Sequence, residues 1–247
     1  MFQRNWINNN MEVNEFTEVP HQKYWIQRYR LFTSWREGIR LDYESWYSVT
    51  PQIIAFLQAK RCILRNLQTQ KIPLLVVDAF SGSGSNSAEF ASAGAHVISC
   101  EINISRIKMV WSCLNTEMYS SVSSQVKFNT DKNFLGNKID FVCTNFLTLC
   151  PVLKPDLIFL SPPWGGPDYY IENESFKLEN MYIGGLNGIE LLEKALEITP
   201  NVIYFLPKNT DLGLIQSRVQ IPWEVMTKML SLIFFLLIHL SRLTLIV

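Results

Sequence analysis

The sequence has only three histidines, no C-x-x-C pair among its five cysteines, and no excess of either charge, with 22 basic residues against 22 acidic ones. His21, His96 and His239 are scattered, so no metal-ligand spacing emerges and no metal is expected. The odd cysteine count offers no disulfide framework, and Cys100 and Cys143 lie in apolar runs where a thiol packs as a small hydrophobe. A reducing compartment is therefore expected. Charge neutrality argues against a grip on long stretches of nucleic-acid backbone, yet leaves room for a nucleotide-sized ligand met by local basic groups. The opening MFQRNWINNNMEVNEF lacks the apolar centre of a signal peptide. The most apolar stretch, MLSLIFFLLI, is too short to span a bilayer, and His239 and Arg242 interrupt any longer run. A membrane role is not expected.

What remains is a globular composition, 247 residues with 48% hydrophobic and 18% charged side chains. Residues 1–19 are polar and Asn-rich, and are expected to lack order. From 20 to 70 aromatic and basic residues interleave, and PQIIAFLQAKRCILRNL then carries apolar residues at helical spacing. This stretch predicts a small helical extension. Residues 71–222 alternate strands with helices: KIPLLVVDAF, HVISCEI, DFVCTNF, PDLIFLSPP and NVIYFLP read as strands. Such alternation predicts an α/β fold, a parallel-rich sheet with helices on both faces, and ligands at the carboxyl ends of its strands. Residues 223–247 form a hydrophobic tail.

The loop Asp78-Ala-Phe-Ser-Gly-Ser-Gly-Ser-Asn86 follows the first strand. Gly82 and Gly84 let a ligand approach the main chain, but the spacing departs from G-x-G-x-x-G. A carboxylate at Asp78 would repel a pyrophosphate and attract an ammonium group, which favours S-adenosylmethionine over a dinucleotide. Glu101 ends the second strand, where an acid can accept bonds from both ribose hydroxyls. Asn145, at the end of DFVCTNF, is a candidate for the adenine edge.

The most specific stretch is PDLIFLSPPWGGPDYY, in which an apolar strand ends at Ser161-Pro162-Pro163-Trp164. Methylating an exocyclic amine requires acceptors that aim its lone pair, and a flat ring that holds the base. Ser161 and Pro162 offer the acceptors, the prolines stiffen the turn, and Trp164 offers the ring. Tryptophan is also the aromatic with the strongest attraction for a cation, which tilts the expectation toward a cationic 7-methylguanine.

From Lys23 to Leu212 the chain resembles the trimethylguanosine synthases, on KYWIQRYRLF, GIRLDYESWYSVTP, DAFSGSGSN, LSPPWGGPDY and FLPKNTD. The resemblance implies a Rossmann-like class I methyltransferase that transfers one or two methyl groups from S-adenosylmethionine to guanine N2 of a 7-methylguanosine cap. It further implies small nuclear and nucleolar RNA substrates, small nuclear ribonucleoprotein partners, and residence in the nucleus and also the cytoplasm. It places Phe32 and Thr50 over the cofactor, and Asn115 near the guanine, on which Trp164 stacks. Lys23, Tyr169 and Lys208 then meet the cap phosphates.

The chain departs from the family pattern at Ser85 (usually Gly), at Asn145 (usually Asp) and at Lys208 (commonly Arg). The family also ends in an antiparallel strand pair, whereas the tail here has no Gly or Asn turn between apolar runs. Those strands are expected to be missing or altered. Two other readings stay open: a cap-binding module without catalysis, and a methyltransferase acting on adenine N6 or a protein amide.

Overall fold

The computed structural model describes residues 22–33, 35–37, 39–66, 73–114, 136–149, 152–165, 175–220, 222–230 and 233–240. The extension begins with the short helices α1 (Gln22–Ile26), α2 (Arg28–Leu31) and α3 (Ser45–Ser48), followed by the longer α4 (Gln52–Asn66). Its first half has its own core, in which Leu31, Phe32, Ile39, Leu41, Trp46 and Val49 are buried. Trp25, Trp35 and Trp46 pack around it with ring centroids 5.0–5.8 Å apart. Aromatic pairs of this kind add about 0.5–1.5 kcal/mol each beyond area burial, which helps explain how helices of four or five residues persist.

The α/β unit then runs β1 (Leu75–Asp78), α5 (Ser85–Ser92), β2 (His96–Glu101), α6 (Ile104–Leu114) and β3 (Ile139–Cys143). It continues through α7 (Phe146–Leu149), β4 (Leu157–Leu160), the two-residue strands β5 (Tyr182–Ile183) and β6 (Leu186–Asn187), and α8 (Gly188–Ile198). It closes with β7 (Val202–Pro207), α9 (Gly213–Arg218), β8 (Trp223–Leu230) and β9 (Ile233–Leu240).

β4 shows why the sheet is covered on both faces. Ile158 and Leu160 enter the core that includes Leu191 and Leu192 of α8. Leu157 and Phe159 enter the opposite core, with Ala59 of α4 and Phe90 of α5. All four β4 residues are fully buried, as expected of a strand inside a parallel sheet. Burying one such side chain contributes about 1.5–3 kcal/mol. α8 starts on a capping box in which Asn187 accepts from the amides of Ile189 and Glu190, while Glu190 accepts from the Asn187 amide.

The seven-stranded sheet has the order β3-β2-β1-β4-β7-β9-β8. The first five strands are parallel, and β9 runs antiparallel to both β7 and β8. The tail expectation is thus corrected: residues 223–240 supply the antiparallel pair. Leu230 pairs with Ile233, although the sequence between them holds neither the glycine nor the asparagine expected for a hairpin. β9 finds six consecutive partners on β7, from Val202 to Pro207. Among the described residues, no helix is long and apolar enough to cross a membrane.

Candidate active site

β1 pairs with β2 on one side and β4 on the other, so the chain reverses its direction of winding at β1 and leaves a crevice at the carboxyl ends. The loop from β1, the end of β2 and the turn after β4 all meet there.

Gly82 and Gly84 have φ of 51° and 75°, in the left-handed region. A Cβ on Gly82 would meet nothing within 4 Å, whereas one on Gly84 would collide with Val110 Cγ1 of α6. The two glycines therefore serve different ends: Gly84 brings α5 against α6, and Gly82 leaves the outer side of the loop open. Gly84→Ala should cost about 2–4 kcal/mol of stability, from left-handed strain and overpacking. Gly82→Ala should cost only the strain, about 1–2 kcal/mol, while weakening donor binding. Chemical denaturation of both variants, with donor titration of the second, checks this contrast.

Glu101 is almost buried, and holds the loop: Oε2 accepts from the Gly82 amide at 3.0 Å and Oε1 from the Asn103 amide at 2.8 Å. A carboxylate has about four acceptor sites, so two remain for vicinal hydroxyls. Asp78 is fully buried beneath the loop. Its Oδ2 accepts from the Ser87 hydroxyl at 2.7 Å, and Oδ1 has no hydrogen-bond partner. Burial pushes this carboxyl up to about 7, against the pull of the Ser87 hydroxyl and with a further push from Glu101. An open glycine loop, an orphaned acid oxygen and a ribose-type acid suit a cationic nucleoside without phosphate. These residues fit S-adenosylmethionine.

Ile102, directly after Glu101, is 74% exposed. Asn145 is exposed, and its Oδ1 accepts from the Leu147 amide at 3.0 Å, opening α7. Its amide nitrogen lies 3.2 Å from where a Cβ on Gly184 would sit, so the β5–β6 turn borders it. Ser85 finds a use for the hydroxyl that replaces the usual glycine: it donates to the Thr50 carbonyl at 2.8 Å, tying the extension to the loop helix. Thr50 and Phe32 are both buried, Phe32 within the extension's own core.

Ser161 donates its hydroxyl to the Phe80 carbonyl at 3.3 Å, joining the turn after β4 to the loop after β1. With that hydrogen committed, the Ser161 oxygen is left with its lone pairs as acceptors. Pro162 is buried, and Trp164 is half-buried. The indole donates to the Phe205 carbonyl at 3.2 Å, with the ring 5.3 Å from that of Phe205, so β7 sets its orientation. Lys208 is exposed just past β7. Lys23 lies in α1. Asn115 and Tyr169 lie outside the described residues.

A family model described as RNA cap guanine-N2 methyltransferase matches residues 74–230. The trimethylguanosine synthase of Schizosaccharomyces pombe is 39% identical over 197 residues, covering 77% of this chain and 72% of that protein. That of Saccharomyces cerevisiae is 30% identical over 194 residues, covering 77% of this chain and 56% of that protein. Among solved structures, the METTL16 methyltransferase domain aligns with a TM-score of 0.55 at 13% identity, over 90% of this chain and 97% of that one. A human methyltransferase 10 domain protein aligns at 0.50 and 12%, over 89% and 93%. The structural likeness fixes the fold alone. Sequence decides the rest: by the matched span and by the fission-yeast identity, this chain belongs to the RNA cap guanine-N2 methyltransferase family.

Proposed function

We propose that this chain methylates guanine N2 of a 7-methylguanosine RNA cap, giving 2,7-dimethyl- and 2,2,7-trimethylguanosine. The observation that carries the reading is the turn Ser161-Pro162-Pro163-Trp164, held beside the β1 loop by the Ser161–Phe80 bond within a chain of this family. S-adenosylmethionine supplies a methyl carbon on a sulfonium, which leaves as a neutral thioether as the carbon–nitrogen bond forms. The chain's part is to place the amine. Ser161 and the Pro162 carbonyl accept from the N2 hydrogens and turn its lone pair toward the methyl carbon. Trp164 holds the ring plane, and its face favours a cationic purine. The N2 proton is lost to water after transfer. No strong base is required, and orientation of this kind can supply about 7–11 kcal/mol of the barrier reduction.

Asp78 and the Gly82–Gly84 loop hold the methionine end, Glu101 the ribose and Asn145 the adenine edge, with Phe32 and Thr50 closing from the extension. Lys23, Tyr169 and Lys208 serve the cap phosphates, and Asn115 the guanine. Small nuclear and nucleolar RNAs as substrates, and the nucleus as the place of action, complete the proposal on the family resemblance. The cap-binding module without catalysis drew on the departures of the tail and of the glycine loop, and β8–β9 remove the first of these grounds.

The test is incubation with labelled S-adenosylmethionine and a cap analogue, either 7-methylated or unmethylated. Label at N2 of the methylated analogue alone is the expected result. Tight cap binding with no transfer would establish the inactive module, and label on adenosine would establish the other methyltransferase.

A further inference from the structure

A group of arginines on the extension is not used by the site described above. Arg28 lies with its guanidinium carbon 4.6 Å from the Trp25 ring centroid and 4.5 Å from that of Tyr29. Arg36 lies 5.6 Å from the Tyr29 centroid and donates to its hydroxyl at 3.2 Å. Tyr29 is 42% exposed between them, and Arg30 and Arg36 are exposed beside it. Among the described side chains, none of Arg28, Arg30 and Arg36 meets a carboxylate, whereas Arg106, Lys194 and Arg218 each do. The stretch 22–40 holds Lys23, Arg28, Arg30, Arg36 and Arg40 against the single acid Glu37, in a chain that is neutral as a whole.

We propose that Arg28, Tyr29, Arg30 and Arg36 form a single-stranded RNA-binding patch that takes the nucleotides following the cap. This rests on the cap-methyltransferase reading and extends it from the cap to the body of the substrate. Single-stranded RNA presents what this surface accepts. Its phosphates match guanidinium forks, and its unstacked bases can lie on a tyrosine ring or a guanidinium plane. An acidic peptide would satisfy the charges but leave the ring unused. The two guanidinium groups also draw the Tyr29 phenol below its ordinary range, the Arg36 hydrogen bond foremost.

The patch is also held in register with the donor loop. α2 passes through Phe32 into Thr33, whose amide and hydroxyl donate to Gln52 Oε1 at 3.1 and 2.9 Å. Gln52 Nε2 in turn donates to Glu89 of α5 at 3.2 Å. Nucleotides gripped by the patch are therefore anchored to the helix that follows the glycine loop.

The test compares a 7-methylguanosine-capped dinucleotide with a capped, unstructured ten-nucleotide RNA, for the full chain and for Arg30→Gln/Arg36→Gln. That double variant spares Arg28, whose guanidinium also holds the Trp25 carbonyl at 2.8 Å. For the unsubstituted chain the longer RNA should show kcat/KM about tenfold higher at low salt, a factor consistent with one base stack. The double variant should lose that gain and keep its activity on the dinucleotide. Its RNA affinity should also have a salt slope shallower by about 0.7 for each phosphate no longer neutralised. Tyr29→Leu should lose part of the gain with little change in the salt slope.

Equal kcat/KM for both lengths in the unsubstituted chain would overturn the proposal. So would a double variant that lowers both activities by the same factor, or an acidic peptide that competes as well as RNA of equal charge. If neither substrate is methylated, the cap reading fails by itself. Anisotropy with the uncapped ten-mer then decides the patch, supporting it if the double variant loses binding and overturning it if binding is unchanged.

Discussion

Trp164→Ala should abolish methyl transfer, by at least about 100-fold in kcat/KM, while S-adenosylmethionine binds within about threefold of its normal affinity. Base–aromatic stacking contributes about 1–3 kcal/mol per base, and loss of the ring plane also forfeits orientation. The half-buried indole packs on Phe205 and donates to its carbonyl, so the variant loses some stability as well. Trp164→Phe separates the two effects. A phenyl ring retains stacking but has no indole N–H, and should fall between the other two in turnover. Single-turnover rates with saturating donor, beside calorimetric donor titration, check both variants. Full turnover by the alanine variant would remove Trp164 from the reaction.

Glu89→Gln should stabilise the protein by about 3 kcal/mol at pH 8, with the gain shrinking to under about 1 kcal/mol by pH 5. Glu89 is 6% exposed, and burial, opposed only by the Gln52 hydrogen bond, pushes its carboxyl from 4.5 up to about 7. Below pH 4.5 both states hold the proton, and glutamate and glutamine differ little. Between 4.5 and 7 the unfolded chain sheds the proton while the folded chain keeps it, so folding stability falls as pH rises. Above 7 both are ionised and the loss is complete, at about 1.4 kcal/mol for each pH unit between the two values. Urea denaturation of both proteins at pH 5, 6.5 and 8 measures the difference directly. Because Asp78 is pushed up in the same range, the comparison must be made between variants at each pH rather than along one curve. A difference independent of pH would place the Glu89 charge in solvent.

Most of the sheet was legible because its strands are short apolar runs that end in chemistry. VVD, CE and FLSPP each mark a carboxyl end, and all three meet at the crevice. α8 has a sequence that suits a helix, GIELLEKALEI, whose apolar Leu191, Leu192 and Ala195 are buried, and the structure adds the Asn187 cap. The β8–β9 pair was not legible. Its expected signal, a turn residue with left-handed freedom, is absent, and what makes the pair form is the exposed edge of β7, a partner about thirty residues away that local pattern cannot reveal. β5 and β6, two residues each, carry no periodicity at all. At the site, the residue types were readable but their pairings were not. Sequence put Asp78 at the methionine end, yet could not show that its carboxyl lies beneath the loop on Ser87. Nor could it show that Ser85 would serve the Thr50 carbonyl, since hydrogen bonds between distant segments leave no spacing to read.

The position of β9 between β7 and β8 also sets a clock on synthesis. β7 has its parallel neighbour β4 as soon as residue 207 is made, but its other edge stays unpaired until residues 235–240 have left the ribosome. During that interval the nascent chain presents an apolar strand edge, VIYFLP, beside a donor loop that is already complete. An unpaired edge of this kind invites pairing with other chains. The loop after β1 and the turn after β4 are therefore translated before the strand that covers the β7 edge.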